Sequence, residues 1–109
     1  MHSMLLTIAR ADGTRSSTLI LDEHNVVVGS DRSCTVVISD DPLVAARHLG
    51  IDVRSHGFEV RPFAPAMYQG QPMTGPVDCA PGASFRIGDT LIVPERYVHS
   101  GTWNPPRPR

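Results

Sequence analysis

Lysine is absent from this 109-residue sequence: all ten basic side chains are arginine, set against eleven acidic ones for a formal net charge of −1. With no excess of either sign there is nothing to drive counterion release from a polyanion, which argues against a nucleic-acid module. A bias so complete toward arginine reads as genome composition and carries little functional weight. Cysteine is scarce as well. Cys34 and Cys79 each stand alone in apolar surroundings, so reduced core thiols are expected rather than a disulfide framework. No apolar run approaches the ~20 residues that span a bilayer. The longest short run, Met4 to Ala9, lacks the basic flank and cleavage site of a leader. A soluble, cytoplasmic chain without membrane contact of its own is the expectation.

Catalytic and metal signatures are also missing. Asp22-Glu23, Asp31 and Asp40-Asp41 fall at strand ends, where turns use them, and no Gly-x-Ser-x-Gly pattern accompanies them. His2, His24, His48, His56 and His99 are scattered without ligand spacing. The sequence therefore predicts no enzyme, no metal and no cofactor.

What is present is punctuation. Ten prolines and nine glycines interrupt short runs of Val, Ile, Leu and Thr, the grammar of an all-β sandwich. Met4 to Arg10 ends at the turn pair Asp12-Gly13, and Ser17 to Leu21 follows. Asp22 to Asn25 is turn material, after which Val26 to Val28 runs into Gly29 and Thr35 to Ile38 resumes beyond a polar loop. Leu49, Ile51 and Val53 alternate with Gly50, Asp52 and Arg54, a period of two, with Ser55-His56-Gly57 as the turn. Phe58, Val60 and Pro62 share a face opposite Glu59 and Arg61. Met67-Tyr68 and Pro72-Met73 flank Gln69-Gly70-Gln71; Phe85 and Ile87 precede the Gly88-Asp89 turn; Thr90 to Val93 closes the pattern. Ten to eleven short, mostly antiparallel strands are expected, as sandwiches space them.

Only Ser39 to Leu49 lets a helix compete, because Asp41-Pro42 reads as an N-cap followed by an N1 proline. Residues 1–94 are expected to form the sandwich and 95–109 an extension ending in Asn104-Pro-Pro-Arg-Pro-Arg109, whose prolines bar it from a sheet. Tyr97 and Trp103, past the last strand, are expected to fold back over the sandwich edge.

From Val28 the order is Gly29-Ser30-Asp31-Arg32-Ser33-Cys34, the strand Val36-Val37-Ile38, and then Val44-Ala45-Ala46-Arg47-His48. With Gly70 and Gly88-Asp89, these positions resemble the forkhead-associated (FHA) domain, a β-sandwich family that binds phosphothreonine peptides. The likeness spans about Leu5 to Val93. That family's signature is Gly-Arg after a strand, an aliphatic strand, Ser-Arg-x-His, and a later Asn-Gly. By this resemblance the phosphate is held by the arginine after the glycine, by the motif serine and by loop residues including the asparagine. The aligned positions here are Ser30, Ala45 and Gln69, with Ala46 for the second arginine and Ala64-Pro65-Ala66 where the family has a Ser-x-Asn-Gly-Thr loop. Arginine supplies charge-assisted, often bidentate bonds roughly twice as strong as neutral ones. A lone hydroxyl and a methyl group do not replace them. Loss of phosphothreonine binding is expected, and Gly29, His48, Gly88 and Asp89 remain as structural positions, His48 bracing the loop after Gly29. Arg32 and Arg47 leave one alternative, a pocket rebuilt around displaced cations that still reads phosphothreonine.

Within the FHA-like proteins, Val44 to Leu49, Tyr68-Gln-Gly-Gln-Pro72 and Ala80-Pro-Gly82-Ala-Ser-Phe-Arg-Ile-Gly88 look like the cytoplasmic domain of the type III secretion inner-membrane ring protein. That family places the domain ahead of a transmembrane helix, and a chain running from Met1 to a Pro-rich stop at Arg109 suits a piece ending before one. The resemblance implies protein partners, ring copies and sorting-platform components among them. An isolated domain is expected to be monomeric, its ring contacts being weak until multiplied by tethering.

Overall fold

In the computed structural model, which describes residues 4–20, 25–54 and 57–96, Met4, Leu6 and Ile8 are buried while Leu5, Thr7 and Ala9 are half-buried. This period of two makes strand β1 (Met4–Ala9) a two-faced element with one side committed to a core. It turns through Gly13, whose N–H donates to the Arg10 carbonyl while the Arg10 N–H donates to Thr14, into β2 (Arg15–Ile20). There follow β3 (Asn25–Gly29), β4 (Val36–Val37), β5 (Leu49–Val53), β6 (Phe58–Pro62), β7 (Met67–Tyr68), β8 (Gln71–Pro72), β9 (Val77–Cys79), β10 (Phe85–Ile87) and β11 (Thr90–Arg96).

Two sheets result. One has the order β2-β1-β11-β10-β7-β8 and the other β4-β3-β5-β6-β9. All pairings are antiparallel except β3 with β4. The first sheet contributes Met4, Leu6, Phe85, Ile87 and Ile92 to the core and the second Val26, Val28, Leu49, Ile51 and Val60, each at 0% exposure. Side chains so placed contribute about 1.5–3 kcal/mol apiece relative to remaining in water. Tyr68 stacks on Phe85 with ring centroids 4.8 Å apart, tying β7 to the core.

The expected all-β sandwich is present; the competing helix is not, and one strand joins those the pattern shows. Ser39 to Leu49 contains no helix: Asp41 Oδ1 accepts the Leu43 N–H as a cap would, but the chain beyond it continues only as turns and bends, while Oδ2 is bonded to the distant β10–β11 turn. Strand β9 had no periodic signal, since three residues between prolines carry too little pattern; it pairs with β6 through Phe58↔Cys79, Glu59↔Asp78 and Val60↔Val77. Both cysteines are free and buried. Expectations for His2, the Asp22-Glu23-His24 turn, Ser55-His56, Tyr97, His99, Trp103 and the Pro-rich end lie outside the described residues.

Candidate functional site

Strand β3 ends at Gly29, and the chain there passes directly beneath the loop that precedes β5. A Cβ at Gly29 would overlap the Ala46 carbonyl, so only glycine admits this approach. The closeness is used. The Ser30 N–H donates to the Ala45 carbonyl at 2.9 Å and the Asp31 N–H to the Ala46 carbonyl at 3.1 Å. The Ala46 carbonyl also accepts the Cys34 thiol proton at 3.0 Å. Three bonds thus close the Ser30–Thr35 loop onto the Ser39–His48 loop.

His48, 3% exposed, holds the second loop from below. Its Nδ1 accepts the Ala45 N–H at 3.0 Å. That bond leaves Nε2 to carry the proton, which it donates to the Pro65 carbonyl at 2.6 Å. The His48 N–H donates to Val28 and its carbonyl accepts from Phe63, so one residue joins β3 and the loops before β5 and after β6. The ring bonds reach the loop before β5 and the loop after β6, and neither goes to the loop after Gly29 that His48 was expected to brace.

The same loop is anchored at its start by Asp41, which is 8% exposed. Its Oδ2 accepts the Asp89 N–H and the Thr90 hydroxyl, both at 2.8 Å; its Oδ1 accepts the Leu43 N–H at 2.9 Å. Burial opposes ionisation, but the Thr90 hydroxyl and the two N–H groups outweigh it and hold the carboxyl below the usual carboxylate range. Gly88 lies against this carboxylate, where a Cβ would come within 2.8 Å of Oδ2 and of the Leu43 Cβ. Gly88 and Asp89 therefore serve the loop from the other sheet.

At the rim Asp31 is exposed. The Ser33 N–H bonded to it at 3.0 Å holds its carboxyl below the usual range, and Arg47 adds attraction. Arg32, Ala46 and Arg47 are exposed and Ser30 and Ala45 half-buried. No ion pair among the described residues involves Arg32 or Arg47; Arg47 instead lies 6.0 Å from the centroid of the Phe63 ring. Phe63 in turn covers Gly50 of β5.

Three-dimensional comparison is decisive for the architecture. The FHA domain of the CT664 protein from Chlamydia trachomatis matches with a TM-score of 0.75 over 88% of this chain and 99% of that one, at 17% identity. The fold is the FHA fold. The FHA domain of FhaA, solved in complex with the intracellular domain of Rv3910, matches at a TM-score of 0.68 and 18% identity, covering 84% of this chain and 99% of the other. A solution structure of an FHA domain from Arabidopsis thaliana matches at 0.71 and 15%, covering 94% and 92%. No protein-family model and no curated protein sequence matches this chain.

On this FHA frame the structure gathers Ser30, Asp31, Ala45, Ala46 and His48 into one hydrogen-bonded cluster packed against Gly29, with Arg47 above Phe63 and Gly88 and Asp89 reaching it through Asp41. Gln69 and Gly70 are elsewhere in role. They form the tip of the β7–β8 hairpin, with φ of 52° and 77°, two successive positive values that mark a type I′ turn. Sequence reasoning missed Asp41 as a buried brace, and also the Pro65 carbonyl, the Cys34 thiol and Phe63. For the first, the local signal of Asp41-Pro42 covers only its bond to Leu43, while its other partners stand 48 and 49 positions away. Among the described residues no group of three His, Cys, Asp or Glu side chains is arranged to hold a metal.

Proposed function

We propose that this chain is a non-enzymatic protein-interaction domain of FHA fold whose phosphothreonine pocket is no longer in use. One observation carries the reading: the cluster offers Ser30 and Ala45 where the resemblance places arginine and serine, and the N–H groups of Ser30 and Asp31 are already bonded to the carbonyls of Ala45 and Ala46. A phosphate dianion arriving there would meet Ser30 and Ala45 where arginine and serine are needed. It would also meet the ionised Asp31. It would exchange its water shell for poorer partners.

The finer proposal is that the domain belongs to the cytoplasmic side of a type III secretion inner-membrane ring and recruits folded proteins of that apparatus. The sequence likeness over Val44–Leu49, Tyr68–Pro72 and Ala80–Gly88 supports it.

The test is a titration against a phosphothreonine peptide library and its unphosphorylated twin at two salt concentrations. The expected outcome is no preference. A salt-sensitive micromolar preference lost in Arg32→Ala or Arg47→Ala would overturn the proposal and establish a pocket rebuilt from the two exposed rim arginines.

A further inference from the structure

Among the described residues four strands lie at sheet edges, and three carry the devices that stop edges from pairing. Strand β4 has two residues, β8 has two including Pro72, and β9 has three with the exposed acid Asp78 at its centre. Strand β2 differs. It runs for six residues, Arg-Ser-Ser-Thr-Leu-Ile, without proline or acid, and every side chain from Arg15 to Leu19 is exposed. Ser16 and Thr18 share the face of Ile20, which is buried, yet both are open to solvent. The strand therefore runs out beyond the cover of the second sheet.

Its free hydrogen-bonding groups can be assigned. The Arg10 N–H donates to the Thr14 carbonyl, and the register continues as Ala9↔Arg15, Ile8↔Ser16, Thr7↔Ser17, Leu6↔Thr18 and Leu5↔Leu19. Antiparallel ladders alternate bonded and non-bonded pairs. Ser16 and Thr18 thus bond to β1, and Arg15, Ser17 and Leu19 turn their N–H and C=O groups outward.

We infer that β2 is a self-pairing edge, at which a second copy of this chain adds its own β2 antiparallel about a two-fold axis through Ser17. In that register Ser17 faces Ser17 of the second copy and Arg15 faces Leu19 of the second copy. The three outward residues of each copy then exchange N–H and C=O groups, and two six-stranded sheets join into one. The composition suits this occupant. The only charge on the strand meets an aliphatic side chain, no like charges oppose, and Ser16, Ser17 and Thr18 are small enough at the crossing for the backbones to approach. Leu19, 43% exposed, gains an apolar neighbour in the Arg15 stem. Such a junction is smaller than the ~1,200 Å² of stable interfaces, so it is weak between free copies. It strengthens when copies are held side by side. It is independent of the phosphate question, because it uses none of the loops at Gly29 or His48.

The experiment uses the full chain and two kinds of variant. Ser17→Pro deletes an N–H that points away from β1, so the fold is retained, as a melting curve checks. In sedimentation the native chain is expected to form dimer as its concentration rises, while Ser17→Pro stays monomeric. Ser17→Cys places two thiols across the axis at about 5.5 Å between Cα atoms, within disulfide reach. Ser16→Cys leaves them offset by two residues along the strand and beyond that reach. Under copper-catalysed air oxidation, covalent dimer is expected roughly tenfold faster for Ser17→Cys than for Ser16→Cys. Dimerisation that survives Ser17→Pro, a native chain that stays monomeric with no Ser17→Cys dimer, or equal cross-linking of the two variants would each overturn the inference.

Discussion

Asp41 does the work of a small ligand within the fold. Three donors from two segments converge on one carboxylate, and neither segment alone explains its neighbour's position. Replacing it with asparagine turns one acceptor into a donor facing an N–H or hydroxyl that then lacks a partner, at a cost of about 1–3 kcal/mol. The pH dependence follows from the lowered pKa. A carboxyl that ionises more readily folded than unfolded stabilises the native state fully above the unfolded value near ~3.9, and the benefit is lost as pH falls through the lower folded value. Urea midpoints between pH 7 and pH 3 are therefore expected to fall in the native chain below about pH 4. In Asp41→Asn the fall is expected to be shallower from a lower starting point; equal slopes would remove Asp41 from the account.

Elements divide into those placed by pattern and those placed by partners. The β7–β8 hairpin is only six strand and turn residues long, Met67 to Pro72, yet it demands left-handed backbone at Gln69, the one non-glycine residue with positive φ among those described. Asparagine tolerates that region better than glutamine and leads the preference for this turn type. Gln69→Asn is expected to raise stability by about 0.5 kcal/mol, seen as a higher thermal midpoint, and to leave peptide binding unchanged. The zipped loops after β3 and before β5 are the converse case, irregular segments made rigid by bonds between them.

For the molecule as a whole, the two thiols report on cooperativity. Burial pushes the Cys79 thiol up to about 11, with Asp78 adding repulsion. At pH 8 its thiolate fraction is on the order of one in a thousand. Cys34 is buried, its thiol donating a hydrogen bond to the Ala46 carbonyl. Labelling by a thiol reagent is thus expected to be slow at both positions under native conditions, with rates that converge as denaturant approaches the unfolding midpoint. Rapid labelling of Cys34 alone would show that the loop zip opens without the rest of the sandwich.

Strand identity was legible wherever side chains alternate against a core: Leu49, Ile51 and Val53, or Phe58 and Val60, declare themselves by period alone. The absence of arginine after Gly29 and of serine at Ala45 was equally plain from the residues, because chemistry that needs a charged donor cannot be supplied by a methyl group. These are local properties, so the amino-acid order by itself determines them. Asp41-Pro42 shows the limit. The same dipeptide suits a helix cap or a turn, and the choice fell to Asp89 and Thr90 across the other sheet. Strand β9, the overhang of β2 and the closing of the Ser30 and Asp31 donors onto Ala45 and Ala46 likewise rest on residues distant in sequence. Only the tertiary structure decided them, since a hydrogen bond or a sheet edge is a relation between segments and has no value until both are in place.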